Sequence, residues 1–488
     1  MKIAFVSSEA TPYAKTGGLA DVAGSLPKEL ENLGCEVKLF IPKYSDIDEA
    51  NYRLRYNRGV GEISIRINEQ LRSSYLHQAK LPGSNVEVNF IDCPYYFNRN
   101  SLYTNDTDED ERFILFCKAV IEVVQRIQWV PDVMHCNDWQ TGLLPLFLKD
   151  NYNWDRVFDT TSTLFTIHNI GYQGRFSKST IYKAELSEEL FYSEGPIEFE
   201  DSVSFMKTGI VFADLINTVS NKYSHEILTP EYGAGLEKTL RTRKPDLFGI
   251  LNGADYRIWN PETDTNIPYN YSINDLAAKL KNKKHLLEEF KMPFNENIPL
   301  IGIISRMVAQ KGFDIFAEAR NELMILNAQW IILGSGEDQY EMMFRSLANE
   351  LPHKVGVSTG YNNKLSHLIE AGADMFLMPS RYEPCGLNQI YSLKYGTVPI
   401  VRKTGGLADT VHDWDELYSY NLDTGTGFSF NDHTGYALFK SVERAVNCFS
   451  VKSAWEKIQS NGMKKDYSWK HSAEQYIELY KLAKDKRV

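Results

Sequence analysis

The sequence predicts an α/β protein made of two doubly wound, parallel-sheet domains. Three observations lead there. Short apolar runs alternate with helical stretches along the chain, the pattern of parallel strands joined by crossover helices. The alternation comes in two series, with a change of register near residue 250. The length, 488 residues, exceeds what one hydrophobic core ordinarily organises.

The first forty residues form a strand–helix–strand unit. Lys2 to Ser7 is an apolar run read as a buried strand, and a polar loop follows through Gly18. Leu19, Val22, Leu26, Leu30 and Leu33 then recur at helical spacing. Pro27 is expected to kink or split this helix, and Gly34 suits its C-terminal cap. Glu36 to Ile41 is the next strand, ended by Pro42. Residues 58–90, with alternating Glu62, Ser64, Arg66 and Asn68, read as a β-hairpin insertion. The acidic run Asp106 to Glu111 reads as a solvated loop before a helix starting near Arg112. Further strands are expected at Val133–Cys136, Thr163–His168 and Leu215–Val219 in the first series. The second series supplies Leu300–Ser305, Trp330–Gly334, Met375–Met378 and Val398–Val401.

Composition narrows the function. Hydrophobic residues at 43% and charged residues at 24% describe a globular, soluble chain. The net charge of -11 argues against nucleic acid as a partner, because a phosphate backbone calls for a basic face. The six cysteines form no C-x-x-C pair and no dense framework, which fits a reducing compartment. Ile3 to Val6 is too short for a signal peptide, and no apolar run is long enough to span a membrane. A cytoplasmic location is the expectation.

Four motifs carry chemistry. Lys15-Thr16-Gly17-Gly18-Leu19-Ala20-Asp21 recurs as Lys403-Thr404-Gly405-Gly406-Leu407-Ala408-Asp409. Paired glycines at a helix start, with a lysine beside them, suit a phosphate or sugar oxygen, and each domain is expected to present this loop to a ligand. The run Ser305-Arg306-Met307-Val308-Ala309-Gln310-Lys311-Gly312 also follows a strand and precedes a helix near Phe313. Its two cations suit a pyrophosphate through charge-assisted hydrogen bonds. Pro379-Ser380-Arg381-Tyr382-Glu383-Pro384-Cys385-Gly386-Leu387 holds one carboxylate, Glu383, in a rigid turn, as a sugar-binding group requires. Cys385 reads as a small buried residue rather than a nucleophile. His135-Cys136-Asn137-Asp138-Trp139 and Phe165-Thr166-Ile167-His168-Asn169 place histidines and a carboxylate at strand ends. No His/Cys/Asp spacing resembles a zinc site, and no essential metal is expected.

With KTGGLADV, HCNDW, FTIHNIGYQG, ILNGAD, SRMVAQKG and PSRYEPCGLNQIYSLKYGTVPIVRKTGGLADTV in this order, the chain resembles the bacterial glycogen synthases and plant starch synthases of glycosyltransferase family 5. The resemblance covers nearly the whole chain. It implies a GT-B fold, two Rossmann-like domains facing across a central cleft. The N-terminal, acceptor-side domain would span 1–248 and the C-terminal, donor-binding domain 249–470. Residues 471–488 would carry a helix, at about 474–486, crossing back to the first domain. The implied reaction is transfer of glucose from ADP-glucose to the non-reducing end of an α-1,4-glucan, with retention of configuration and without cofactor. On this basis Lys15, Gly17, Gly18 and Asp21 belong to donor binding. Arg306 and Lys311 hold the diphosphate. Glu383, Cys385, Gly386 and Leu387 line the glucose and distal phosphate. His168 and Asp138 sit on the acceptor side near the reacting carbon, Asn252 approaches glucose or phosphate, and Tyr361 lies against the adenine.

Two positions depart from the patterns of related enzymes: Gln140 stands where many members have His, which argues against a direct catalytic role there, and Tyr391 is the other. Tyr391 stands eight residues after Glu383, where related retaining enzymes carry a second glutamate, which argues against a sucrose- or trehalose-type relative. Two rival readings remain: a GT-B transferase using UDP-glucose or another acceptor, and a non-catalytic glucan-binding protein.

Overall fold

In the computed structural model, which describes residues 1–487, the chain divides into two units. Unit 1 takes Met1–Asn252 and the stretch from Trp469 onward, and unit 2 takes Gly253–Ser468. The divisions therefore fall after Asn252 and before Trp469, not at 248 and 470. The last helix runs Trp469–Asp485 and starts earlier than 474.

Unit 1 is built on β1 (Lys2–Val6), β2 (Glu36–Pro42), β3 (Arg55–Tyr56), β4 (Glu62–Ile67), β5 (Gln70–Lys80), β6 (Glu87–Asp92), β7 (Val133–Asn137) and β8 (Ser162–Ile167). The short β9 (Arg175–Phe176), β10 (Glu198–Phe199) and β11 (Ser202–Ser204) form a separate sheet, and β12 (Leu215–Thr218) and β13 (Leu247–Gly249) complete the main one. The main sheet has the order β13-β12-β8-β7-β1-β2-β6-β5-β3, with β4 paired to β5. Pairing is parallel from β13 to β6 and antiparallel beyond it. The central strands are continuous apolar runs because helices cover both faces, and β7 and β8 are buried at every position. The hairpin β4–β5 turns at Asn68 and Glu69, both with positive φ.

Unit 2 carries β14 (Leu300–Ile304), β15 (Gln329–Gly334), β16 (Val355–Thr359), β17 (Met375–Met378), β18 (Val398–Arg402) and β19 (Phe428–Phe430). They are all parallel, in the order β16-β15-β14-β17-β18-β19. The two-residue alternation of strand side chains splits its core in two. Ile301, Ile303, Trp330 and Ile332 pack in one apolar cluster. Leu300, Ile331 and Leu333 pack in another. Both sheets are Rossmann-like, which confirms the α/β class. Each has one topological switch point, between β1 and β7 in unit 1 and between β14 and β17 in unit 2. Crevices at such points, beyond the carboxyl ends of the strands, are where open α/β sheets take their ligands.

Two local expectations are overturned. The helix Gly18–Asn32 runs through Pro27 without a break. Its packed face, with Val22, Leu26 and Leu30 fully buried, outweighs the missing N–H. Gly34, at φ +89°, closes it as expected. The acidic run is a solvated loop only in its first half: Asp106 is exposed, but the helix begins at Glu109, and Glu109 and Asp110 are buried. Cationic and hydroxyl partners meet both inside the unit. The fully buried Arg112 lies 2.6 Å from Glu109. Asp110 accepts hydrogen bonds from Thr180 at 2.7 Å and Lys183 at 3.0 Å.

Candidate functional site

The loops at the two switch points hold most of the residues singled out from the sequence. In unit 1 the chain leaves β1 into Ser7-Ser8-Glu9. The Glu9 carboxylate, 3% exposed, accepts hydrogen bonds from the Thr16 N–H at 2.5 Å, the Thr16 hydroxyl at 2.7 Å, the Gly17 N–H at 3.2 Å and the Tyr103 hydroxyl at 2.6 Å. It therefore fixes the KTGG loop. Sequence reasoning missed it. The available signal was a carboxylate directly after a buried strand, a place where an unpaired charge is not tolerated. Gly17 is the N-cap of the helix, in extended conformation, and Gly18 is its first residue. Because Glu9 takes the amides before it, Gly18 heads the N–H groups of the first turn, which have no intrahelical partner. Lys15 is paired with Asp21 at 2.7 and 2.9 Å, so Asp21 orients the lysine rather than standing alone. Burial is the main cause of the upward shift of the Asp21 carboxyl, and Lys15 opposes it.

Across the switch point, Asp138 follows β7 and His168 follows β8. Asp138 has φ 56° and ψ −179°, a conformation that a side chain strongly disfavours and that persists only where surrounding contacts enforce it. Its Oδ1 accepts the His168 N–H at 2.7 Å, and its carboxyl also receives a backbone hydrogen bond from Asn169. Burial pushes its pKa up to about 7. The His168 Nε2 meets the Asn137 Oδ1 at 2.9 Å, and burial lowers the imidazole to about 3. Asn137 donates its own amide hydrogens to the Val6 and His135 carbonyls, so its oxygen is an acceptor and Nε2 of His168 carries the proton. His168 is thus neutral, with Nδ1 as its basic atom. A cavity of about 690 Å³ in unit 1 has Trp139, the residue after Asp138, with Tyr172, Gln173, Arg175, Asp106 and Glu109 among its walls. Asn252, at the end of unit 1, is buried, and its Oδ1 has no hydrogen-bond partner among the described residues. His135 corrects the sequence reading. It is fully buried, bonded to Thr166 and Tyr480 inside the sheet, and faces no ligand space. The register of β7 puts it before the strand end, not at it.

In unit 2 the loop after β14 meets the loop after β17. The Arg381 N–H donates to the Gln310 carbonyl at 2.8 Å. The Lys311 ammonium lies 2.6 Å from Glu383, whose same oxygen accepts from the Ser380 hydroxyl at 3.0 Å. Arg306 is exposed and its guanidinium makes no bond among the described residues. Cys385 is buried, and Gly386, at φ 71°, and Leu387 lead into the helix Asn388–Tyr395. Their N–H groups stand at a helix start, as an anion site requires. Tyr361, just after β16, is 84% exposed. Tyr391 stacks on Trp259 at 4.0 Å, and the other face of Trp259 stacks on His367 at 3.8 Å. The tyrosine therefore packs where a second carboxylate was absent.

The repeated KTGGLAD motif does not do the same thing twice. A Cβ on Gly17 or Gly18 would meet nothing within 4 Å, whereas one on Gly405 would sit 1.9 Å from the Glu383 carbonyl oxygen and one on Gly406 2.0 Å from that of Cys385. The second copy is a packing platform beneath the Glu383–Cys385 turn, and only the first is open. Among the described residues no group of three or more His, Cys, Asp or Glu side chains is placed to hold a metal ion.

Comparison with known proteins agrees with this layout. Residues 2–242 match the family model described as the starch synthase catalytic domain, and residues 284–457 match that of the glycosyl transferases group 1. The chain is 44% identical to a glycogen synthase of Koribacter versatilis over 100% of its own length and 99% of that protein's. It is 43% identical to one of Thermotoga maritima, covering 99% of each. The catalytic domain of starch synthase IV from Arabidopsis thaliana, solved bound to ADP and acarbose, superposes with a TM-score of 0.91 at 31% identity over 99% of both chains. With the paired Lys311 and Glu383 at one switch point and the Asp138–His168 pair at the other, the chain belongs to the glycogen and starch synthase family, GT-B glucosyltransferases of glycogen synthesis.

Proposed function

We propose that the chain transfers glucose from ADP-glucose to the non-reducing end of an α-1,4-glucan, retaining the α configuration. The observation that carries this reading is the hydrogen-bonded pair of loops at the unit 2 switch point. It sets Lys311 on Glu383 and leaves the Arg306 guanidinium open to solvent. Breaking the bond from the anomeric carbon to phosphate leaves negative charge on ADP and positive charge on the sugar. Arg306 and the remaining N–H groups of Lys311 offset the first, which is electrostatic rather than proton-transfer catalysis. Glu383, held by Lys311 and Ser380, accepts hydrogen bonds from glucose hydroxyls. The Gly386 and Leu387 amides and Cys385 line the sugar and distal phosphate, and Tyr361 offers an exposed ring to the adenine.

In unit 1, Lys15 with Gly17 and Gly18 offers contacts to the donor, with Asp21 holding the lysine, and the Asn252 Oδ1 accepts from glucose or phosphate. Asp138 and His168 serve the acceptor, and the aromatic and acidic walls of the neighbouring cavity suit a glucan chain. The acceptor hydroxyl attacks the anomeric carbon on the face the phosphate leaves, and the departing phosphate oxygen takes its proton, so no protein nucleophile enters. No cofactor or metal has a step. The chain would act in the cytoplasm, consistent with six free cysteines and with no helix, among the described residues, long and apolar enough to cross a membrane.

Incubation with glycogen and either ADP-glucose or UDP-glucose tests the reading. ADP release with chain growth, and a higher kcat/KM for ADP-glucose, are expected. Glycogen retention without turnover of either donor refutes it in favour of a glucan-binding protein.

A further inference from the structure

The helix Trp469–Asp485 docks on unit 1 with polar groups in its buried face. Tyr476 and Tyr480, one turn apart, are both fully buried. The Tyr480 hydroxyl meets the His135 Nδ1 at 2.8 Å, and the His135 Nε2 meets the Thr166 hydroxyl at 2.6 Å. Thr166 donates to the Asn217 Oδ1 at 2.5 Å, and the Asn217 amide donates to the Tyr476 hydroxyl at 3.0 Å. His135, Thr166 and Asn217 stand on the adjacent strands β7, β8 and β12, so this arc ties three strands to one helix.

The direction of every bond follows from the amide. Asn217 donates to Tyr476, so its oxygen can only accept, and the single Thr166 hydroxyl proton goes there. His135 must then donate from Nε2, and Tyr480 must donate to Nδ1. All the members are fully buried. Phenylalanine at 476 and 480 would pack the same helix and spare the desolvation of two hydroxyls, but would take a partner from the buried His135 Nδ1 and Asn217 amide, so the hydroxyls serve to hold these two groups.

What they place is two residues further along. Strand side chains repeat their face every second residue. Asn137, which meets His168 at 2.9 Å, therefore follows His135 on one face. His168 likewise follows Thr166 in register, just past the end of β8.

We infer that Tyr476 and Tyr480 are positioning residues for glucosyl transfer, holding His135 and Asn217 beneath the strand ends that present Asp138 and His168. This rests on the reading of Asp138 and His168 as acceptor-side groups. The test compares Tyr480→Phe and Tyr476→Phe with Leu479→Ala, a purely apolar truncation on the same helix. Tyr480→Phe should lower kcat at least fivefold and leave KM for ADP-glucose within twofold. Leu479→Ala should lower Tm as much or more, with kcat within twofold of the parent. In a His135→Leu background the Tyr480→Phe effect on kcat should vanish.

Histidine-selective ¹⁵N spectra give a readout independent of activity. The parent should show His135 protonated at Nε2 only, and Tyr480→Phe, which leaves that proton on Thr166, should move the Nδ1 signal to that of a nitrogen accepting no hydrogen bond. If Tyr480→Phe does not fold, Tyr476→Phe reads the same arc from its other end. A kcat that follows Tm alike in all variants, or a His135 signal unmoved by loss of the hydroxyl, overturns the inference. A parent without transferase activity defeats the functional reading instead and leaves the spectral test standing.

Discussion

Asp138 offers the sharpest quantitative test. It combines a buried carboxylate with a backbone at φ 56°, and burial raises its pKa from 3.8 to about 7. A carboxyl raised on folding binds its proton more tightly in the native state. It therefore contributes most stability below its unfolded pKa and loses that contribution as pH rises to the folded value. One pKa unit corresponds to about 1.4 kcal/mol, so the shift amounts to roughly 4 kcal/mol. Asp138→Asn keeps an oxygen acceptor for the His168 N–H and the same backbone, but carries no charge. The stability of the Asn variant relative to the parent should rise by about 1.4 kcal/mol per pH unit between pH ~4 and ~7, then level off. Thermal unfolding from pH 4.5 to 8.5 reads this as a growing Tm gap, at about 2 °C per kcal/mol. His168 and His135 titrate in both proteins and cancel in the difference. A gap that stays flat across that range would show that Asp138 is ionised throughout, and the burial argument would fail.

Lys311→Ala should reduce kcat roughly 100-fold or more, the scale of losing one preorganised donor to a developing anion, with KM for glycogen within twofold. Equal losses in turnover and glucan binding count against the proposed role. Gly406→Ala forces a Cβ against the Cys385 carbonyl and should lower stability by about 1–3 kcal/mol together with activity. Gly17→Ala, which meets nothing, should leave Tm unchanged and raise KM for ADP-glucose alone. The reverse ranking would undo the contrast between the two copies. Arg112→Met strands the Glu109 carboxylate inside unit 1 and should lower stability by about 3–5 kcal/mol, measured by urea unfolding. A change under about 1 kcal/mol would mean the pair is solvated after all.

Much of the fold was legible because buried parallel strands are written as unbroken apolar runs. β1, β7, β14 and β17 could be read within a residue or two of their ends. β16 and β19 were not, since Val355–Thr359 ends in polar residues and Phe428–Phe430 is only three residues long. The hairpin was legible from its alternation, although Asn68 and Glu69 give no glycine at the turn. Charge was the least readable feature. Asp108, Glu109 and Asp110 look alike in sequence, yet the latter two are buried because Arg112, Lys183 and Thr180 reach them. Glu9 and the Tyr476–Tyr480 arc were invisible for the same reason, since Tyr480 meets its partner 345 positions away. The Glu383 turn was found, but not the platform of Gly405 and Gly406 that supports it.

The way unit 2 is threaded has a practical consequence. Its two ends lie side by side, Ala254 forming a bridge with Ser468 and donating its N–H to the Tyr467 carbonyl at 2.7 Å. One uninterrupted segment, Gly253–Ser468, can thus be expressed by itself with its termini already adjacent. Unit 1 needs only a short splice from Asn252 to Trp469, where the Ser472 hydroxyl already donates to the Leu251 carbonyl at 2.6 Å. Nucleotide affinity and glucan affinity could then be measured on separate polypeptides, and halves from different relatives exchanged by gene splicing.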